Sequence, residues 1–174
     1  MRLFLIVTVF FLVSGCSTDS EENYDIYVYT NGISDQIEED TFRDLVQQLP
    51  HTLEEDVRVT FHIPLDEKFF VDVSAELGDL LIMDEHMIEQ IMEPEGLAPL
   101  DDILPESLDL EGTFYEQILP ESGSKHVFAV PLDANMYLLK ELGIEPDRPM
   151  AAAVPLYSVK TEDSILLLEQ LLTY

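Results

Sequence analysis

Between Tyr24 and Met92 the apolar residues change period repeatedly, and this alternation constrains the fold more than any other feature of the chain. Asp25-Ile26-Tyr27-Val28-Tyr29-Thr30 is rich in β-branched and aromatic residues and stops at Asn31-Gly32, which predicts a strand and a turn. From Ser34 or Asp35 the spacing becomes helical through Ile37, Thr41, Phe42, Leu45, Val46 and Leu49, and Pro50 ends it. Acidic Asp35, Glu38, Glu39 and Asp40 fall in its first turns, where they complement the helix dipole. Val57 to Ile63 alternates and is closed by Pro64, predicting a second strand, and Glu67 to Leu77 predicts a short helix despite Val71 and Val73. Asp79 to Met83 has the apolar run of a strand buried on both faces, and His86 to Met92 predicts a helix. Strand, helix, strand, helix, strand, helix implies a parallel sheet with helices packed on it.

The remainder is less regular. Gly96 to Gly123 is rich in Pro, Glu and Asp, and Ile103-Leu104-Pro105-Glu106-Ser107 is echoed by Ile118-Leu119-Pro120-Glu121-Ser122. Two copies of so short a string do not make a repeat architecture. His126 to Pro131 predicts a strand, Ala134 to Leu142 a helix ended by Gly143, and Ala151 to Tyr157 a last strand broken by Pro155. Thr161 is expected to cap a final helix whose Ile165, Leu166, Leu167, Leu168, Leu171 and Leu172 face more than one way, so that it is largely buried.

The amino terminus is of another kind. Arg2 precedes an apolar stretch from Leu3 to Val13, shorter than the roughly 18 residues of a spanning helix but within the about 7–15 of a secretory signal. Leu12-Val13-Ser14-Gly15-Cys16 resembles the lipobox of bacterial lipoproteins. The resemblance implies a diacylglyceryl thioether (and palmitate-type acylation) on Cys16, cleavage after Gly15, and a new terminus at Cys16. Cys16 is the only cysteine, so an intramolecular disulfide is impossible. The implied organisation is a signal peptide over 1–15, a lipidated tether over 16–23 containing Ser17 to Ser20, Glu21 and Glu22, and a single domain over 24–174. Two acyl chains, at about 0.8 kcal/mol per buried methylene, suffice for stable anchoring. The expected location is outside the cytoplasm, on the outer face of the cytoplasmic membrane or on a membrane facing the periplasm.

The net charge of −28 at pH 7 excludes nucleic acid and anionic lipid head groups as partners. Its carboxylates are scattered without a long block, which favours a solvated acidic surface over a dedicated site for cations, a basic partner or cell-wall material.

Catalytic signatures are thin. Glu85-His86-Met87-Ile88-Glu89 would place His86 and Glu89 on one helix face, but it is neither H-E-x-x-H nor its inverse. His51, His62 and His126 show no ligand spacing, and Met83, Met87 and Met92 read as core filler. There is no G-x-S-x-G elbow, no glycine-rich phosphate loop and, with Cys16 acylated, no nucleophilic cysteine. Adjacent acids such as Asp101-Asp102 carry no acid–base meaning without geometry. No catalytic residue, metal site or cofactor is assigned. Asp84 and Glu85 are the ligand-binding candidates, because they follow the third strand at the carboxyl end, where open α/β sheets place ligands.

Gly78-Asp79-Leu80-Leu81-Ile82-Met83-Asp84 followed by Gly96-Leu97-Ala98-Pro99-Leu100-Asp101-Asp102 resembles the extracellular solute-binding lipoproteins of ABC importers. His126-Val127-Phe128-Ala129-Val130-Pro131 and the helix from Met136 to Gly143 are similar to later elements of that family. The resemblance implies a single α/β lobe with a mostly parallel sheet flanked by helices, like one lobe of a type 2 periplasmic binding protein. Members carry a second lobe, most of which is expected to be absent from a chain that stops soon after Gly143, and without Trp no sugar-stacking platform is evident. The expected role is a membrane-anchored, solute-binding-like accessory component with an unknown small solute as partner. The alternatives are a structural lipoprotein that recognises an envelope protein, a hydrolase with an unrecognised site, and a degenerate remnant.

Overall fold

The computed structural model describes residues 23–31, 43–46, 48, 53, 56–91, 96–105, 108–132, 139–140 and 144–173. The signal segment, Cys16 and the tether lie outside the described residues, as do most of the helices expected over 35–49 and 134–142.

Strands β1 (Asn23–Tyr29), β2 (Asp56–His62), β3 (Leu80–Asp84), β6 (Val130–Leu132) and β7 (Met150–Ala153) form one five-stranded sheet in the order β2-β1-β3-β7-β6. A second, two-stranded sheet pairs β4 (Glu116–Ile118) with β5 (Lys125–Val127). Among the described residues the helices with both ends in view are α1 (Asp66–Ser74), α2 (Glu85–Ile91) and α3 (Thr161–Thr173), with a 3₁₀ turn at Asp101–Ile103, and residues 43–46 and 139–140 are also helical.

The sheet corrects the expected fold class. Only the pairings of β1 with β2 and with β3 are parallel; β3 with β7 and β6 with β7 are antiparallel. The architecture is therefore a mixed sheet with a small accessory sheet, and not the mostly parallel, helix-flanked lobe of a type 2 binding protein. Parallel neighbours need a crossover of a dozen or more residues, commonly a helix on the sheet face. The irregular, proline-rich chain after α2 instead brings β7 back in the opposite direction. The strand expected from His126 to Pro131 also divides, between β5 in one sheet and β6 in the other.

Side-chain alternation assigns the two faces. Tyr27 and Tyr29 stand beside Thr60 and His62 on β2 and beside Leu81 and Met83 on β3. On this face lies α1: the rings of Tyr29 and Phe69 meet edge to face at 5.1 Å, and the Tyr29 hydroxyl donates to Asp72 Oδ2 at 2.8 Å. The other face carries Tyr24, Ile26, Val28 and Thr30 and is covered by α3, where Tyr24 Oη donates to Ser164 Oγ at 2.8 Å. Leu167, Leu168 and Leu171 of α3 are buried while Leu166 is 40% exposed, so the helix buries one stripe. At its start Thr161 does not cap. It is the first helical residue, and its hydroxyl donates to the Ser158 carbonyl, while Ser158 Oγ accepts the Lys160 N–H.

β3 and β7 are the centre of the core, with every residue buried, and the Ala151-Ala152-Ala153 run of β7 keeps that position narrow. The two copies of the five-residue echo occupy unlike settings: Ile103 ends the 3₁₀ turn, whereas Ile118 ends β4 and Leu119 begins the turn to β5.

Candidate functional site

The two ends of the parallel strands differ in how their polar groups are satisfied. At the amino end, Arg58 donates twice to the Asp25 carboxylate, at 2.7 and 2.6 Å. Asp79 accepts the Asp25 N–H at 2.8 Å and the Ser158 hydroxyl at 2.5 Å. Lys160 reaches the Asn23 carbonyl. This network ties β1, β2, β3 and the start of α3 together, and its groups have partners within the fold.

At the carboxyl end the chain passes from β1 to β2 on one side, while β3 lies on the other. The ends of β1 and β3 are thus a topological switch point, where open α/β sheets place ligands. Tyr29 pairs with Met83, which sets Thr30 and Asp84 next to each other on the α3 face. Asp84 is 0% exposed, with the Thr30 hydroxyl beside its carboxylate. Burial pushes its carboxyl above the ordinary aspartate value; His86 opposes, Asp147 adds, and the Thr30 hydroxyl and Arg148 oppose.

Glu85, the other candidate, is engaged elsewhere. Its Oε1 accepts the Tyr115 hydroxyl at 2.6 Å and its N–H donates to the Pro149 carbonyl at 2.8 Å. Burial, then the bond to Glu85, raises the Tyr115 hydroxyl above its ordinary value. His86 turns toward α1, with Nε2 4.0 Å from Asp66 Oδ1, and not toward Glu89. Among the described residues no group of three or more His, Cys, Asp or Glu side chains converges as metal ligands.

On the opposite face Asp72 is 2% exposed and is held by Lys68 at 2.5 and 2.6 Å as well as by Tyr29. His62 stacks at 5.2 Å from Tyr27 and 5.1 Å from Tyr29, with Nε2 3.9 Å from Asp72. Burial, then Lys68, lowers its affinity for a proton, and Asp72 opposes.

Sequence spacing gave no sign of a further alignment. Ser124 Oγ lies 2.9 Å from His126 Nε2, and His126 Nδ1 lies 2.8 Å from Asp101 Oδ2. The order serine, histidine, aspartate is that of a hydrolytic triad, but its surroundings are not. The N–H groups of Gly123 and Ser124, the nearest oxyanion donors, are spent on the Leu119 carbonyl and on Ser122 Oγ. The His126 and Asp101 side chains are 31% and 42% exposed, so solvent screens any developing charge. Asp101 also accepts the Val127 N–H at 3.3 Å, and the trio pins the 3₁₀ turn to the β4–β5 hairpin.

Beside α1 is an apolar cleft of about 280 Å³, lined by Phe70, Val73, Leu81, Leu97, Pro155 and Tyr157 with Gln90 at its margin. The Tyr157 hydroxyl donates to the Leu77 carbonyl at 2.7 Å, which fixes that wall. Phe70 is 46% and Val71 63% exposed, and the segment entering α1 adds Ile63 at 65% and Leu65 at 54%.

Compared with known proteins, the chain is 30% identical over 105 residues to a Bacillus subtilis (strain 168) protein named "Putative lipoprotein YteS". The match covers 60% of this chain and 60% of that protein. It supports the reading of this chain as a bacterial lipoprotein and says nothing of solute binding. No family model matches the chain, and neither does any solved structure. No helix among the described residues is long and apolar enough to cross a membrane.

Proposed function

We propose that this protein is an extracytoplasmic lipoprotein, held by lipid on Cys16 to the outer face of a membrane, that docks a second envelope protein on its α1 surface. The observation that carries the docking role is the apolar outer side of α1. Ile63, Leu65, Phe70 and Val71 are all about half exposed or more, beside an open apolar cleft. Exposed apolar surface of this kind, rimmed by charge, marks interaction sites. The excess of acid across the chain sets the partner's chemistry: an apolar patch with a neutral or basic surround. The lipobox and the similarity to a bacterial lipoprotein support the anchoring.

A photo-crosslinking residue at Val71 of the full chain in its host tests the surface against one at Val159, which is 90% exposed elsewhere. A discrete adduct from position 71 alone, lost when Phe70→Glu is added, is the expected result. The same adducts from both positions, or none from 71, would overturn the docking role. The cleft favours one other reading, a small apolar solute seated against Leu81 and Tyr157. Thermal stabilisation by an uncharged solute, lost with Leu81→Lys, would select that reading.

A further inference from the structure

The cleft of about 280 Å³ beside α1 has an apolar floor and walls: Leu81 of β3, Leu97 and Pro155 are buried, and Phe70 and Val73 come from α1. Tyr157 adds a ring whose hydroxyl proton is already given to the Leu77 carbonyl, and Gln90 of α2 is exposed at the margin. Whatever fills this space carries no polar group at its buried end, where a donor or acceptor would go unmatched. The rim is of another kind. Glu76 follows α1 within a turn of Val73, its N–H donating to the Val73 carbonyl at 3.0 Å, and it is exposed. Burial, then the charges of Asp79, Tyr27, Asp72 and Glu76, raise the Tyr157 hydroxyl above its ordinary value, so a negative field covers this wall of the cleft. Of the three carboxylates, Asp79 is bound by Ser158 and Asp72 by Lys68, while the side chain of Glu76 has no partner among the described residues.

We propose that this cleft is a socket for one large apolar side chain of the docked envelope protein, with an adjoining Arg or Lys of that protein lying over Glu76. The inference rests on the docking role of α1 and names the feature of the partner that α1 recognises. Interfaces concentrate their energy in a few anchors seated in desolvated pockets. The volume, just under the about 300–1,000 Å³ of small-molecule pockets, suits such an anchor. Phe70, 46% exposed, is both a wall of the socket and part of the outer surface of α1, which makes the two continuous. Charge sets the neighbour of the anchor. α1 holds Asp66, Glu67 and Asp72 against Lys68 alone, and Lys68 is spent on Asp72. An acidic neighbour would meet Glu76 and the net charge of −28, whereas a basic one is drawn to both.

The test is calorimetric titration of the full chain in detergent micelles with three peptides: acetyl-Gly-Phe-Arg-Gly-amide, the same peptide with Ala for Phe, and the same peptide with Glu for Arg. The Phe-Arg peptide is expected to bind saturably, at least about tenfold more tightly than Ala-Arg. At low salt it should also bind about threefold more tightly than Phe-Glu. Glu76→Gln should erase the preference for Arg over Glu, and Gln90→Trp, which fills the mouth from an exposed position, should abolish binding. No saturable binding of Phe-Arg, equal binding of Phe-Arg and Ala-Arg, or an Arg preference that persists in Glu76→Gln would overturn the socket. So would binding undiminished in Gln90→Trp. The comparison of peptides on the unaltered chain needs neither variant. A crosslinked adduct at position 71 without peptide discrimination overturns the socket alone, whereas absence of that adduct overturns the docking role beneath it.

Discussion

Asp72 and Asp84 are both buried aspartates, and their surroundings predict opposite responses to removal of the charge. Asp72 receives bonds from the half-exposed Lys68 and the buried Tyr29, so Asp72→Ala leaves the Tyr29 hydroxyl unmatched and should cost about 1–3 kcal/mol by denaturant unfolding. Burial holds the Asp84 carboxyl above its ordinary value, so Asp84→Asn, which removes the charge, should lessen the loss of stability as pH rises. The sign follows from its raised folded value. Below the unfolded value of about 3.9 the side chain is neutral in both states and costs little. Stability is then lost as pH rises through the window up to the folded value. The gap between variant and parent should therefore open from about pH 4 upward, and a gap independent of pH would contradict this. His62 acts at the other end: its lowered folded value means stability falls as pH drops from about 6.5 through that value, a dependence His62→Gln should remove. The sequence shows Asp84 at a strand end and Lys68 four residues before Asp72. It does not show how differently the two carboxylates are held, because the partners come from other elements.

At the scale of elements, the local pattern of β1, β2, β3, α1 and α2 was legible within a few residues. The alternation of β2 and the helical spacing of α1 follow from burial on one side, whereas β1 and β3 are apolar runs buried on both faces. Strand direction beyond β3 was not legible, because it depends on how the long chain between β3 and β7 re-enters the sheet. Nothing in Met150-Ala151-Ala152-Ala153 encodes antiparallel pairing. The three-residue strand β4 was too short to leave a period, so its hairpin with β5 was not foreseen and the Ser124–His126–Asp101 pin went unread. One element boundary is set by a single residue. Gly78 has φ of +88°, and a Cβ there would lie 2.9 Å from Leu81 Cδ2 and 3.3 Å from Tyr27 Cγ, all at the entrance to β3. Gly78→Ala should destabilise by about 1–3 kcal/mol in urea unfolding. A neutral effect would mean that the turn relaxes without cost.

For the whole molecule, a surface with this excess of carboxylates repels itself, and salt screens the repulsion over a length of about 10 Å at 0.1 M. The unfolding midpoint should therefore rise with sodium chloride. In the proposed function the same charge favours neutral or basic partners, and the lipid on Cys16 would place the encounter outside the cytoplasm. The proposed docking to an envelope protein presupposes that address. The most direct test is therefore Cys16→Ser in the full-length protein, followed by cell fractionation and mass spectrometry of the amino terminus. The parent should partition with membranes as a chain beginning at an acylated Cys16, and the variant should be soluble or unprocessed. A variant that is cleaved yet remains membrane-bound, or a parent lacking acyl mass on Cys16, would contradict the account.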